Sequence, residues 1–299
     1  MSKYQADMDY IKTFCYDPGR PLADYETDFT GPFRKKKDAN EIFQEGILRL
    51  RELQSMMYAQ GKHGMLIILQ ALDAAGKDGI IKHVMSGVNP QGCQVKSFKT
   101  PSSEELAHDF MWRCLKALPE RGNIGIFNRS YYEEVLVVRV HPNFLLRQNI
   151  PGLEHVEQAD QAFWETRFRD ISNFERYFSN NGYLVLKFFL NVSRKEQKKR
   201  FLSRINEPSK NWKFTMADVN ERQHFDQYQH AIEDMLRNTS HSFAPWYVVP
   251  ADKKWFMRTA VCRIIVEHME KLGPAYPDAG PAHLQDIEKA RIMLENEKE

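Results

Sequence analysis

The amino-acid sequence predicts an α/β fold, a mainly parallel sheet of five strands with helices on both faces. Five short apolar stretches are each separated by a stretch of helical periodicity, the alternation that builds parallel strand–helix–strand units. The first stretch, Met65–Gln70, runs apolar without alternation, as a strand buried on both faces does. At 299 residues, 42% hydrophobic and 27% charged, the chain has the length and composition of a soluble domain with a large core. One domain over 1–299 is expected, with an N-terminal arm and helix in 1–60 and a basic lid, 193–222, inserted in the core.

Residues 1–40 carry Pro18, Gly19, Pro21, Gly31 and Pro32 ahead of the basic run Arg34–Lys37, which reads as an extended arm laid over a body. Ile42, Ile47, Leu50, Leu53 and Met57 recur at helical spacing, so a helix is expected near 40–60. After the first strand a helix begins near Lys77. A second strand is expected at Gln94–Phe98. Ser102 and Glu105 then form a capping box for a helix up to about Leu118. The third strand is Asn123–Phe127, followed by a helix-rich stretch from Ser130 to Phe178. The fourth is Tyr183–Asn191. Ser193 and Glu196 form another capping box, opening a basic helix that ends before Pro208. A helix over 218–237, a strand over Trp246–Val249, a helix over Lys254–Leu272 and an amphipathic tail complete the chain. In the tail, Leu284, Ile287 and Met293 make either a packing stripe or a subunit contact.

The net charge is only +2, which excludes a generic polyanion binder, so any polyanion site must come from local clustering. Four cysteines, Cys15, Cys93, Cys114 and Cys262, lack metal-ligand spacing and read as reduced thiols of a cytoplasmic protein. The first residues show no apolar leader, and no run of about 18 apolar residues spans a membrane.

Chemistry concentrates in three segments. The first, Ala71-Leu72-Asp73-Ala74-Ala75-Gly76-Lys77-Asp78, nearly spells the phosphate loop G-x-x-x-x-G-K-[ST]. Ala71 stands for the first glycine and Asp78 for the hydroxyl. The strand-to-helix setting aims backbone N–H groups and a helix dipole at an anion. Lys77 would reach the terminal phosphates as a point charge. A small-residue turn with one lysine is also common as plain architecture. Asp73 beside phosphate is repulsive unless a divalent cation sits between them; its alternative is a helix N-cap.

The second segment ends its strand at Phe127 and continues Asn128-Arg129-Ser130. Arg129 stands at the carboxyl edge of the sheet, where it would clamp charge on a transferred phosphoryl group; its alternative is a surface ion pair. Asn128 stands where an acidic metal ligand usually sits. Glu133 follows, either at the site or on a solvated helix face. The third segment, Ser193–Phe214, holds eight basic residues against two acidic ones. It reads as a lid closing over phosphates or as a solvated face.

In combination, "LDAAGKDG", "FNRSYYE" and "KKRF…NWKF" resemble the family-2 polyphosphate kinases, over roughly 40–272. The resemblance implies a P-loop kinase-like three-layer α/β/α sandwich with a helical lid, similar to nucleoside monophosphate kinases. It implies phosphoryl transfer from inorganic polyphosphate to AMP or ADP, with GMP and GDP as further acceptors. Mg²⁺ would be the cofactor, Mn²⁺ its substitute, and the assembly a homo-oligomer, a tetramer in many members.

Carried over by position, Asp73, Lys77, Arg129 and Glu133 would be catalytic. Asp73 and Asn128 would hold metal. Asn128, Arg129 and Glu133 would sit with Asp73 around the acceptor. Ala74, Ala75, Gly76, Asp78, Gly79, Lys82, Arg200, Arg204 and Lys213 would bind the donor. Much of the family has Asp where this chain has Asn128, and the "NRS" spelling resembles the branch that takes both AMP and ADP. The nearest rival is an ATP-dependent kinase of the same fold. A nucleic-acid module would want aromatic residues interleaved with the cations, and Phe201 and Trp212 serve that poorly.

Overall fold

The computed structural model of the chain describes residues 9–297; residues 1–8, with the stretch read as lacking a leader, lie outside them. Five strands, β1 (Gly64–Gln70), β2 (Cys93–Ser97), β3 (Ile124–Asn128), β4 (Tyr183–Asn191) and β5 (Trp246–Pro250), form one sheet of order β2-β3-β1-β4-β5. Every pair is parallel. From β1 the chain crosses to the edge strand β2 and returns to β3 beside β1, then crosses to β4 and β5 on the other side. Winding reverses at β1, and a crevice opens beyond its carboxyl end.

Helices cover both faces because β1 is apolar on both. Met65, Ile67 and Leu69 face a core shared with α1 (Lys36–Gln60), α2 (Lys77–Val84) and α7 (Lys254–Leu272). Leu66 and Ile68 face the opposite core, built with α3 (Gln161–Asn180) and α6 (Phe225–Thr239). The arm does lie on the body: Ile11, Phe14, Tyr16, Leu22 and Tyr25 are buried. The Tyr16 N–H donates to the Trp246 carbonyl at 2.8 Å, covering the β5 edge that would otherwise offer unpaired backbone.

Three expected helices come out shorter. The Ser102–Glu105 capping box forms, but its helix ends at Leu106 and resumes only as one turn at Trp112–Leu115. Between them the Asp109 carboxylate accepts from the Met111 N–H at 2.9 Å, a local turn that competes with the helix. Between Ser130 and Asp160 the chain makes 3₁₀ turns and one short helix, not a continuous helical stretch. The helix expected over 218–237 starts earlier, at a Thr215–Asp218 capping box, and is split into α5 (Met216–Glu221), a 3₁₀ turn and α6.

Between β4 and the split lies α4 (Arg194–Asn206), the root of the basic segment. The tail forms α8 (Gly280–Glu295), in which no residue is buried. Leu284, Ile287 and Met293 are 55%, 44% and 74% exposed. They are therefore no packing stripe within this chain. No helix of the described residues is long and apolar enough to cross a membrane.

Lys187, in the middle of β4, is wholly buried. Its ammonium pairs with the buried Glu175 and donates to Tyr132 Oη at 2.9 Å and the Thr239 carbonyl at 2.7 Å. Glu175 also accepts from the hydroxyls of Tyr131 at 2.8 Å and Tyr132 at 2.7 Å. The pair thus anchors the turn that follows Arg129. Lys187→Met should cost about 3–5 kcal/mol, since it leaves a buried carboxylate without its counter-charge. Urea unfolding should show Lys187→Met/Glu175→Leu to be more stable than Lys187→Met alone; a less stable double variant would contradict this account.

Candidate active site

The loop between β1 and α2 explains its own spelling. Ala71 is not among the described residues with left-handed backbone, so no glycine is needed there. The left-handed positions are Ala74, at φ 62°, and Gly76, at φ 123°. A Cβ on Gly76 would meet Met257 Cε at 2.9 Å. Conformation therefore calls for glycine at Gly76, whereas the Met257 methyl is the end of a flexible side chain and could give way. Asp78, in the hydroxyl's place, accepts from Asn128 Nδ2 at 3.0 Å and pairs with Lys213 Nζ at 3.1 Å. It links the first turn of α2 to the end of β3 and to the basic segment.

Lys77 is buried, and its Nζ donates to the Ala71 carbonyl at 2.8 Å. Burial, then the nearby Arg129 guanidinium, lower its ammonium to about 8. Asp73 Oδ1 accepts from Arg129 Nη2 at 2.7 Å. Burial would raise the Asp73 carboxyl, but Lys77 and Arg129 outweigh it and hold the group below the usual carboxylate range. Arg129 is itself left-handed, at φ 64°, a strained conformation for a side chain of its size. That turn directs its guanidinium to Asp73 and to Glu133, 3.8 Å away. Glu133 is not on a solvated face. Its side chain is 15% exposed and accepts from Gln70 Nε2. Burial raises its carboxyl against the pull of Arg129.

Two clefts meet at these residues. The first, about 610 Å³, is lined by the loop from Asp73 to Gly79 and by nine basic side chains against three acidic. Arg204, Lys213, Lys99, Lys210, Lys254 and Arg258 are among them. The second, about 570 Å³, has apolar walls at Leu136, Val137, Phe144 and Phe225 and a polar end at His141 and Glu221. Asp73, Arg129 and Asp218 line both.

Two sequence-derived donor contacts are displaced. Lys82 is exposed and lines neither cleft. It stands four residues past Asp78 in α2, on the same stripe but one turn farther from the cleft. Arg200 lines the first cleft but is buried, its donors spent on the protein. Conversely, Lys254 and Arg258 line the first cleft from a segment read only as a helix over Lys254–Leu272. Their signal was a pair of cations four apart in the first turns after a strand's carboxyl end.

A turn-bound anion cradle, a buried lysine and an arginine shared by two clefts define a phosphoryl-transfer enzyme of the phosphate-loop kinase class. The sequence profile described as Polyphosphate kinase 2 (PPK2) matches residues 33–275. The chain belongs to that family. It is 50% identical over 262 residues to an ADP-polyphosphate phosphotransferase of Rhodopseudomonas palustris, covering 88% of this chain and 90% of the relative. It is 43% identical over 257 residues to an AMP/ADP-polyphosphate phosphotransferase of Meiothermus ruber, covering 86% and 91%. The crystal structure of Polyphosphate Kinase 2 from Arthrobacter aurescens superposes with a TM-score of 0.83 at 37% identity, over 92% of this chain and 95% of that one.

Proposed function

We propose that the enzyme transfers the terminal phosphoryl group of inorganic polyphosphate to AMP and to ADP. The carrying observation is the pair of unlike clefts that share Asp73 and Arg129. A polyphosphate chain has no base and needs only a strip of cations, which the first cleft supplies. A nucleotide needs apolar walls as well as polar anchors, which the second supplies. The reacting phosphates then meet where the clefts join, beside Arg129.

In-line transfer needs little of the protein beyond positioning and charge neutralisation. Lys77 and the loop N–H groups hold the donor phosphates. Arg129 neutralises charge that develops on the transferred group, and Glu133 fixes Arg129 from the acceptor side. The acceptor phosphate has a second pKa near 6, so it attacks already ionised and Asp73 need not remove a proton.

No cluster of three or more His, Cys, Asp or Glu exists among the described residues. That suits Mg²⁺, which binds through one or two carboxylates plus substrate phosphates and keeps several waters. Asp73 fits as its ligand, being ionised and having only Oδ1 engaged by Arg129. The amide oxygen of Asn128 would join it or a metal-bound water. Mg²⁺ would supply charge neutralisation on the phosphates, and Mn²⁺ would substitute for it. We take the enzyme to be a cytoplasmic homo-oligomer, a tetramer by family resemblance, with the uncovered apolar residues of α8 as its candidate contact.

The test supplies Mg²⁺ and long-chain polyphosphate with AMP or ADP, without ATP, and follows products by chromatography. Conversion of AMP to ADP and then ATP is expected, and GMP and GDP are run in parallel. If ADP alone reacts, the donor assignment stands and acceptance of AMP is refuted. If nothing reacts with polyphosphate while ATP phosphorylates a nucleotide, the ATP-dependent alternative replaces this one.

A further inference from the structure

We propose that Arg200, expected from its place in the basic segment to touch the donor, is instead a positioning residue that holds the phosphate loop in its anion-binding conformation. The inference rests on the loop being the donor phosphate site.

A guanidinium carries five N–H donors, and every one of them is occupied. Nε donates to Glu196 Oε1 at 3.0 Å. Nη1 donates to the carbonyls of Ala74 at 3.1 Å and Ala75 at 2.5 Å. Nη2 donates to the carbonyls of Ala251 at 2.6 Å and Asp252 at 3.1 Å. Arg200 is 6% exposed. One turn earlier, Gln197 Nε2 donates to the Asp73 carbonyl at 3.0 Å. Side chains of α4 therefore hold three consecutive loop carbonyls, those of Asp73, Ala74 and Ala75.

The consequence is geometric. In a trans peptide the C=O and the following N–H point in opposite directions, and no cis peptide occurs among the described residues. Holding the Ala75 carbonyl on Arg200 turns the Gly76 N–H away from that guanidinium, within a loop whose residues line the first cleft. Holding the Asp73 carbonyl does the same for the Ala74 N–H. The Ala75 N–H between them donates to the Leu72 carbonyl at 3.3 Å, so the groups left for an anion are the N–H groups of Ala74 and Gly76, two oriented donors of the kind that bind anions at such turns. The left-handed Ala74 lies between the peptides so held, so Arg200 also stabilises that strained residue. Arg200 ties the loop to the turn after β5, where Asp252 Oδ1 accepts from the Ser193 N–H at 2.8 Å. The root of α4 is thus fixed to the loop, and a moving lid can begin only beyond it.

Charge and geometry separate in the variants. Lysine keeps the charge but cannot bridge carbonyls on two segments. Arg200→Lys and Arg200→Gln are therefore both expected to lose about 30-fold in kcat/KM for polyphosphate and about 10-fold in tripolyphosphate affinity by calorimetry. Losses of that size match misplacement of a preorganised donor. The slope of log KM against log salt should stay at the wild-type value in both. Arg204→Gln, which removes a cation that faces the cleft, should instead flatten that slope by about 0.7–0.9.

If Arg200→Lys keeps wild-type constants while Arg200→Gln flattens the slope, Arg200 touches the donor and the proposal fails. If both variants lose only thermal stability and keep kcat, KM and tripolyphosphate affinity, the role is merely structural and the proposal also fails. Should both fail to fold, Gln197→Leu decides: weaker tripolyphosphate binding at unchanged salt slope supports the loop-holding role, and unchanged binding refutes it. A wild-type enzyme that shows no polyphosphate-dependent transfer sinks the functional reading instead. The calorimetry then still reports whether α4 sets the loop's affinity for a phosphate chain.

Discussion

Asp73→Asn is expected to lower kcat by about 10²–10³-fold, the loss that follows removal of one preorganised electrostatic group, while the protein stays folded. Asparagine keeps the shape and can still accept from Arg129, so the wall between the two clefts survives. What disappears is the charge. Asp73 is held ionised by Lys77 and Arg129 against the effect of burial, and of the two carboxylates common to both clefts, Asp73 and Asp218, it is the one on the phosphate loop. If Asp73 holds Mg²⁺ as proposed, the ion would lose its carboxylate ligand, so the Mg²⁺ concentration for half-maximal rate should rise together with the fall in kcat. The Asp73–Arg129 pair is about a third exposed, with side chains at 30% and 37%, and solvent screening keeps its worth to stability small. A variant within tenfold of wild-type activity at low Mg²⁺ would reduce Asp73 to a loop cap and move the metal elsewhere.

Legibility in the sequence divides by the range of the forces involved. The β4 span and the helix over Lys254–Leu272 match their expected ends, because continuous apolar runs and local caps decide them. The loop and Asn128-Arg129 were legible because a strand end fixes where the next side chains go. Long-range geometry was not. Arg200 and Arg204 are identical letters on one basic helix, four residues apart. Only the packing of α4 against the loop makes Arg200 a buried brace, 6% exposed, and Arg204 a side chain in the cleft beside Asp218. Glu133 likewise carries no local mark that separates a place in the site from the solvated face weighed against it. Its burial follows from Gln70 on β1, 63 residues away in the chain. The second cleft was missed as a cleft because Leu136, Phe189 and Glu221 come from three separate segments, and no spacing in the sequence joins them.

Lys77 should make the enzyme's donor affinity fail above about pH 8. Burial and then Arg129 bring the ammonium down to about 8, although Asp73, Glu133 and Asp78 oppose the fall. Phosphate oxygens favour the charged form, so donor binding must draw a proton onto any Lys77 that has lost its own. Polyphosphate KM is expected to be flat below about pH 7 and to rise tenfold per pH unit above about pH 8. Calorimetry of tripolyphosphate binding near pH 8.5, in buffers of different ionisation enthalpy, should show proton uptake.

The sign for stability runs the other way. The folded pKa lies below the unfolded value of about 10.4, so between about pH 8 and pH 10 the unfolded chain binds more protons. This group's contribution to stability therefore rises with pH across that window. At neutral pH the buried charge is a cost, on the order of 3 kcal/mol. Lys77→Met should lose activity by about 10³-fold and unfold at equal or higher urea concentration than wild type. Sites that bind charge are commonly kept at the expense of stability. A Lys77→Met protein that is several kcal/mol less stable, or a wild-type KM with no limb near pH 8, would show that Lys77 holds its proton in the free enzyme. In that case the hydrogen bond to the Ala71 carbonyl would outweigh desolvation, and the lysine would brace the loop as well as bind its ligand.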